Sequence, residues 1–513
     1  MNPAFLDLLE TNTPPTAQQA TEIRNLLAGQ ESYLYLDTAP TSDDDLEYFI
    51  LLRSELFQRL NAALSHMRTF PPEILGLIFI FCRDVDYEYA DYPFVVVRNS
   101  PMVLTHVCSR WRTVADSTPR LWSTLRFPKS AFKDDGGPPV LQQMLDRSRN
   151  LPLGITVQSM PTEQCDSCGF RHILDSDFGE TRWLDIVWAL HRRLESIDLD
   201  LTSEEPARYY CPQQTVFPIL SSLNLSLPGN DEAPLVEILE SFRNAPALRS
   251  LKLHTDNSWD YCLLANFPWS QLTTINLALP VSVEGVRDLL IRCPALEVVI
   301  LPSLWDLDDL SDDPPPPPLP MVTTLPNLRR LEAAIRGIGI FFVLDALSLP
   351  ALDSFSLSTP ENPTVGFLAL QARSQFPLAH FSLSSIKDLT PEQLFSMLRP
   401  LAPTLRTLDV KDCACVTNRL FTLLKDPEPQ VRLPHLTRLS IYPIALLNGE
   451  IIADAVEFIW TSSQHPSEDA AFPKLRAVCL SARRWSRPVF GEDVERRLAA
   501  LRAAGFLVDD DRW

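Results

Sequence analysis

The sequence predicts an α/β solenoid, a stack of strand–helix units, preceded by an all-helical N-terminal part. The string Leu-x-x-Leu-x-Leu, with other apolar residues in some places, recurs eleven times in the C-terminal two-thirds of the 513-residue chain. Helical periodicity fills several of the intervals between copies. Only 15 residues are glycine whereas 45 are proline, which favours a recurring break between elements over a turn-dense all-β fold. Each unit should therefore add one strand to a parallel sheet inside a curve and one helix outside it.

The units are defined by their first leucines, which are 24 to 39 residues apart. Helices are expected at 235–244, at 283–293 and at 390–400, where a Thr-Pro-Glu sequence makes a cap and first turn. A helix and a final strand at 491–508 would cap the last unit. The first leucines are Leu194, Leu220, Leu248, Leu272, Leu296, Leu328, Leu352, Leu378, Leu405, Leu436 and Leu475.

The repeats resemble the leucine-rich-repeat solenoids of the ribonuclease-inhibitor type. The best single match is LRTLDVKDCACVTNRLFTLL at 405–424, in which Cys413 occupies the position where that family has Asn or Cys. The resemblance implies a horseshoe with parallel strands inside and helices outside. An α/β domain with coincidental leucine spacing is the alternative.

One position in each strand is expected to face a bound protein. Residues between the last two leucines of a repeat point away from the core, because side chains alternate along a strand. On the concave face of a horseshoe they would contact a protein substrate. These residues are Asn224, Lys252, Asn276, Glu332, Ser356, Ser382, Asp409 and Ser440.

Residues 69–125 lack the repeat and predict three short helical elements. The first has an apolar face at helical spacing and begins at a proline, the second covers roughly 102–115, and the third begins near Pro119. Three helices in about 45 residues bury too little apolar surface to be stable alone. Such a module should dock on something.

Three blocks of this module, FPPEIL (70–75), VCSRW (107–111) and PRLW (119–122), occur in the order typical of the F-box. The segment resembles the F-boxes of proteins from mushroom-forming fungi, which implies binding to a Skp-type adaptor and, through it, to a cullin–RING (SCF-type) ubiquitin ligase. The first block would fill an apolar groove of the adaptor, while Trp111 and Trp122 would add buried area. Alternatively, these residues form only an internal core. The adaptor-binding residues would be Phe70, Pro71, Ile74, Leu75, Ile78, Val107, Cys108, Trp111, Leu121 and Trp122.

The chain is thus divided into an N-terminal helical segment at 1–68, an F-box at 69–126 and a leucine-rich-repeat-like solenoid at 127–513. The N-terminal segment predicts helices at 16–28 and 46–67, and the second carries an amphipathic stripe that includes Leu64. The stripe fits either a short coiled coil or a helix packed on the F-box.

Charge and cysteine content limit the partners. A formal charge of −20 gives no support for binding nucleic acid, and the most apolar window is far shorter than the roughly 20 residues that span a bilayer. Ten cysteines without a secretory signal suggest reduced thiols in the cytosol or nucleus. Cys165 and Cys168, with His172 nearby, have the local spacing of a zinc knuckle, and Cys211 or His191 could complete four ligands, but a convincing second pair is missing. Free reduced thiols are the preferred interpretation, and no metal or other cofactor is expected.

No catalytic residue can be named, because the sequence has no phosphate-binding glycine loop and no defensible nucleophile–base pair. The resemblance therefore implies a non-enzymatic substrate-recognition subunit, with an unknown protein substrate on the solenoid. A ligase-independent leucine-rich-repeat interaction scaffold is the alternative.

Overall fold

In the computed structural model the described residues form two compact units, Met1–Val187 and Trp188–Trp513. Both predicted domain boundaries, after 68 and after 126, fall inside the first unit. The described residues are 8, 14–32, 58, 62–84, 101–128, 139–158, 182–200, 215–227, 238–255, 267–278, 283–305, 322–336, 344–425, 433–442, 448–464, 477–480, 491–504 and 507–509.

The first unit is mainly helical. A 3-10 helix at Pro119–Trp122 follows its fourth helix, and a strand–helix–strand segment follows that. The elements are α1 (Ala17–Ser32), α2 (Pro72–Asp84), α3 (Pro101–Val107), α4 (Ser109–Asp116), β1 (Thr124–Pro128), α5 (Pro139–Ser148), β2 (Leu153–Gln158) and α6 (Arg182–Ala189), which contains the division between the units.

The prediction of a single helix at 102–115 is wrong, because the structure has two helices there. Cys108 separates α3 from α4 with an extended backbone (φ −163°, ψ 167°), and its Sγ accepts a hydrogen bond from the Trp111 N–H at 3.4 Å as the N-cap of α4. Arg112 Nε donates to the Thr105 carbonyl at 2.8 Å. This bond satisfies a carbonyl that a continuous helix would have used itself.

The N-terminal segment packs on itself where it is described. α1 overlaps the helix predicted at 16–28. Most of the helix predicted at 46–67 lies outside the described residues, but its last residues differ from the prediction: the helix ends at Ala63, and a 3-10 helix occupies His66–Arg68. Ala63 is buried with Leu8 and Ile23, and Leu64 packs against them. For this end of the amphipathic stripe, the structure favours packing within the chain over a coiled coil.

Strands β1 and β2 were not predicted. They pair in parallel with Leu125 opposite Ile155 and Phe127 opposite Val157, and all four side chains are buried. The alternation of apolar residues in both segments could have indicated strands, although neither contains the full Leu-x-x-Leu-x-Leu string. The first unit therefore contains a βαβ segment that resembles one repeat.

The second unit is built on one parallel sheet, as the repeat predicts. Each of the eleven repeat copies forms one strand, and the strand predicted at the C-terminus adds a twelfth. Their order in the sheet is the order of the chain: β3 (Leu194–Asp200), β4 (Ser222–Leu227), β5 (Ser250–Thr255), β6 (Thr274–Ala278), β7 (Val298–Trp305), β9 (Arg330–Arg336), β11 (Ser354–Ser358), β12 (His380–Ser384), β13 (Thr407–Lys411), β14 (Arg438–Tyr442), β15 (Ala477–Leu480) and β16 (Leu507–Asp509). The short strands β8 (Thr323–Thr324) and β10 (Leu347–Ser348) pair in a second parallel sheet.

The leucines of the repeat form the core of this unit. In β11 and β12, buried Phe355, Leu357, Phe381 and Leu383 alternate with half-buried serines. In most repeats the first leucine lies two residues before the strand and is also buried, as at Leu378. An α/β solenoid follows, since each strand offers one apolar side to the core and pairs with the next repeat.

Helices connect several strands. The helix predicted at 390–400 is Pro391–Leu398, and Thr390 caps it: its Oγ1 accepts from Gln393 N, while Gln393 Oε1 accepts from Thr390 N at 2.9 Å. The predicted C-terminal helix is also present. Residues 238–241 are helical, inside the helix predicted at 235–244. The longer helices described in this unit are α7 (Val283–Arg292), α8 (Thr364–Ser374), α9 (Pro391–Leu398), α10 (Asn418–Lys425), α11 (Gly449–Gln464) and α12 (Glu492–Ala503).

Candidate adaptor-binding module and sheet face

The three-block module has its own apolar core. Leu75 and Phe79 on one side of α2 are buried, together with Val114 of α4 and with Leu121 and Trp122 of the 3-10 helix. Trp122 also donates its indole N–H to the Ala115 carbonyl at 2.7 Å. The helices that carry the three sequence blocks are therefore held together by buried side chains.

Three of the predicted adaptor-binding residues belong to this core. Leu75, Leu121 and Trp122 are each 0% exposed. We expected Leu75 and Trp122 to contact the adaptor. Because neither side chain has any exposed area, both stabilise the core of the module and add no contact surface. Trp111 is half-buried and lies against Phe79, with 4.8 Å between ring centroids.

The other predicted residues lie at the surface of the module. Ile74 is 44% exposed and Val107 is 55% exposed. Pro71 is exposed as well, whereas Phe70, Ile78 and Cys108 are half-buried. Whether these side chains contact an adaptor stays a prediction.

Sequence reasoning missed three exposed apolar side chains beside them. Leu77 is 49% exposed and Phe81 is 68% exposed. Together with Ile74 they follow one side of α2 at i, i+3 and i+7, and we call Ile74, Leu77 and Phe81 the α2 stripe. On α3, which touches α2, Val103 is 39% exposed. The signal was present in the sequence, since PEILGLIFIFC is apolar on every side of the helix and only one side can face a core this small.

Arginines fix the segment that leads into α2. Arg110 of α4 donates to the carbonyls of Arg68 and Phe70, and Arg68 donates to the Leu8 carbonyl at 2.8 Å. Burial lowers the pKa of the Arg68 guanidinium, and the nearby Cys108 thiol opposes that shift. These bonds connect both the start of α2 and, through Arg68, the cluster of Leu8, Ile23 and Ala63 to α4.

A second set of contacts holds α5 on the module. The Arg147 guanidinium lies over the Trp122 ring at 4.5 Å from its centroid, and its Nε is 2.9 Å from Asp116 Oδ1. The aromatic face and the carboxylate together fix the position of the Arg147 guanidinium. The βαβ segment is therefore anchored through the last residue of the third block.

A groove of about 750 Å³ opens beside the α2 stripe. One wall is α2, with Leu77 and Ile80; the opposite wall comprises the start of the 3-10 helix and the turn between α5 and β2. Its lining residues are Pro72, Glu73, Gly76, Leu77, Ile80, Ser117, Thr118, Pro119, Arg120, Arg149, Asn150 and Leu151.

The eight substrate-contact residues predicted in the repeats lie in one row across the sheet of the second unit. Strand register pairs each with its neighbour, for example Asn224 with Lys252 and Ser382 with Asp409. The row also contains Asp198, Ile300 and Cys479, which sequence reasoning did not single out. The row is formed by Asp198, Asn224, Lys252, Asn276, Ile300, Glu332, Ser356, Ser382, Asp409, Ser440 and Cys479.

Most of this row is accessible. Lys252 is exposed and the other predicted members are half-buried, except Ser440, which is only 9% exposed and is too covered to contribute much contact area. Asn224 donates to Asp198 at 2.7 Å, and Glu332 pairs with Arg330 of its own strand. The row combines both charge signs with small hydroxyl side chains, which suits a polar protein surface better than an apolar one.

Two of the described cysteines, Cys413 and Cys415, form a buried pair just after β13. A hydrogen bond with Cys413, together with burial, raises the pKa of the Cys415 thiol, and the same hydrogen bond lowers the pKa of Cys413. Cys415 is therefore a poor nucleophile. Cys165, Cys168 and His172 lie outside the described residues. Among the described residues no group of three or more His, Cys, Asp or Glu side chains is placed to hold a metal ion, and no helix there is long and apolar enough to cross a membrane.

Comparison with known proteins gives structural likeness at low similarity. No family model matches the chain, and no curated protein matches it. A chain in the crystal structure of the Rad7 and Elc1 complex of yeast is similar at 14% identity and a TM-score of 0.32, covering 80% of this chain and 95% of that one. A structural-genomics target from Bacteroides fragilis is similar at 16% identity and a TM-score of 0.29, covering 57% of this chain and 67% of that one.

Proposed function

We propose that this chain is a substrate-recognition subunit of a cullin–RING ubiquitin ligase. Its three-block module would bind a Skp-type adaptor, and the polar row of its repeat sheet would bind a protein substrate. The transfer chemistry would belong to other subunits, in the cytosol or nucleus. The F-box resemblance of the blocks at 70–75, 107–111 and 119–122 suggests the adaptor, and the geometry of the module supplies the physical argument.

The observation that carries the proposal is the exposed apolar surface of α2 and α3. Phe81 at 68% exposure, Leu77 at 49% and Val107 at 55% lie on two helices that touch each other. Large apolar side chains clustered on the outside of a small module indicate an interface, since covering them with a partner removes that area from water. Their contribution should be concentrated in a few side chains, as in most protein interfaces.

The substrate side is supported by the composition of the sheet face. The register places Lys252, Glu332 and Asp409 in the same row, with Asn276, Ile300, Ser356 and Ser382 between them. Because adjacent parallel strands lie roughly 4.8 Å apart, the row extends over tens of ångströms and can contact a folded surface at many points. Mixed charges of this kind select partners by complementarity.

The test is co-purification with a purified Skp-type adaptor. The double variant Leu77→Lys/Phe81→Lys should weaken adaptor binding at least 100-fold, because two desolvated side chains are replaced by charges. The matched control is Ile291→Lys/Val365→Lys in the second unit, where the side chains are 53% and 79% exposed on α7 and α8; it should bind like the unchanged protein. Circular dichroism establishes that both variants fold.

The outcomes separate the alternatives. If the unchanged protein does not bind the adaptor, or if both double variants bind equally well, the proposal is wrong. If the adaptor binds but a cullin is not recruited to the complex, the chain is a ligase-independent scaffold.

A further inference from the structure

We infer that the groove beside α2 binds an acidic, amphipathic segment of the adaptor, one in which Asp or Glu side chains alternate with aliphatic ones. This inference rests on the proposed function and adds the chemistry of the partner's docking segment. Three features of the groove carry it: two exposed arginines, the apolar part of its lining and continuity with the α2 stripe.

The first feature is a pair of arginines on one wall. Arg120 of the 3-10 helix and Arg149 of the turn before β2 both line the groove and are both exposed. Among the residues that the structure describes, neither guanidinium has a hydrogen-bond or ion-pair partner. Arg149 also has a left-handed backbone (φ 53°), and its N–H donates to the Asp146 carbonyl at 3.2 Å, which closes the turn. Two guanidiniums without partners favour carboxylates, which they bind with paired hydrogen bonds.

The second feature is the apolar part of the lining. Leu77 is 49% exposed and Leu151 36% exposed, while Ile80 and Pro119 are half-buried. The groove's own carboxylate, Glu73, lies in the first turn of α2. A partner with acidic residues alone would leave the apolar floor in water, and an apolar partner would leave the arginines unpaired. A segment with both types of residue satisfies both parts.

The third feature is the position of Leu77, which belongs to the α2 stripe and also lines the groove. A partner that covers the stripe therefore reaches the groove without leaving the surface. The volume of about 750 Å³ accommodates a few side chains, not a folded domain. The occupant is for this reason a segment of the same adaptor.

The experiment measures association kinetics with a purified Skp-type adaptor at 50 mM and 300 mM NaCl by surface plasmon resonance. For the unchanged protein, the association rate should fall as salt screens the charges. The variant Arg120→Glu/Arg149→Glu should associate about tenfold more slowly at 50 mM NaCl and should lose most of its salt dependence. Both arginines are exposed, so the variant should fold normally, and circular dichroism checks this.

The control carries the same change of charge elsewhere. Arg24 in α1 and Arg192 after α6 are both exposed, and Arg24→Glu/Arg192→Glu should associate within twofold of the unchanged protein. If the two double variants slow association equally, net charge explains the effect and the inference is overturned. If Arg120→Glu/Arg149→Glu behaves like the unchanged protein while Leu77→Lys/Phe81→Lys does not bind, the inference fails and the proposed function stands. Failure of the unchanged protein to bind overturns both.

Discussion

Substitution of Trp122 tests whether this residue stabilises the core of the module or forms part of its binding surface. Trp122 belongs to the third sequence block, but it is 0% exposed, its indole N–H donates to the Ala115 carbonyl at 2.7 Å, and the Arg147 guanidinium covers its ring. The substitution Trp122→Phe keeps an aromatic face for Arg147 and removes the N–H and one ring. We therefore expect it to destabilise the module without altering the exposed apolar side chains.

The magnitude follows from two terms. The Ala115 carbonyl keeps the Thr118 N–H as a donor at 3.1 Å, so the loss of the indole hydrogen bond costs about 0.5–1.5 kcal/mol. The missing ring volume of roughly 40 Å³ costs about 1 kcal/mol more, at roughly 24 cal/mol per Å³ of cavity. The free energy of opening the module should thus fall by about 1.5–2.5 kcal/mol, which corresponds to amide exchange about 10- to 70-fold faster in the most protected residues.

Hydrogen exchange measured by mass spectrometry is the suitable assay, because the chain has two units and a single global unfolding transition would mix them. Peptides that cover 101–128 should exchange faster in Trp122→Phe, and peptides of the second unit should not change. Leu77→Ala is the control: at 49% exposure it should leave exchange unaffected and weaken adaptor binding. The reasoning is refuted if peptides that cover 101–128 exchange in Trp122→Phe as they do in the unchanged protein.

Two further predictions concern the second unit and the thiols. Burial raises the pKa of Cys293 to about 12, so this thiol should react slowly with iodoacetamide at pH 8. Peptide mass spectrometry should find exposed Cys82 labelled and Cys293 unlabelled until the protein is unfolded. Equal labelling of the two thiols in the folded protein would contradict this prediction. Phe381 is 1% exposed and its ring centroid lies 5.0 Å from that of Phe367, so Phe381→Ala should cost about 3–5 kcal/mol of stability. Amide exchange should become faster in peptides of the second unit, whereas Ser382→Ala on the opposite face of the strand should change it little.

The repeat sheet could be predicted in detail because its information is local and is repeated. Each strand carries its own alternation of buried and outward residues, as in the segment from Leu405 to Val410. The repeat itself therefore sets which residues of its strand face the core, and we call this the phase of the strand. Long steps between repeats, such as the one before Leu475, add residues outside the strand and leave that phase unchanged. The outward row, from Asn224 to Ser440, follows from stacking these phases in register.

Helix breaks and small strands were harder to predict. The residues around Cys108 are compatible with one continuous helix, and the break depends on the Arg112 side chain reaching the Thr105 carbonyl. Strands β1 and β2 alternate correctly but lack the full repeat string, and they are recognisable only once Leu125 and Ile155 lie opposite each other.

By itself the sequence determined the number and order of the repeat strands and the alternation within them, and it located the three-block module. It did not predict the register shift between Leu301 and Leu304, where β7 pairs with β9. Only the tertiary structure decided which side of α2 is core. PEILGLIFIFC is apolar all round, so its periodicity cannot distinguish Leu75, which is fully buried, from Phe81, which is 68% exposed. That choice depends on where Trp122 and Val114 close the core, a contact between residues distant in the chain, and no local pattern encodes it.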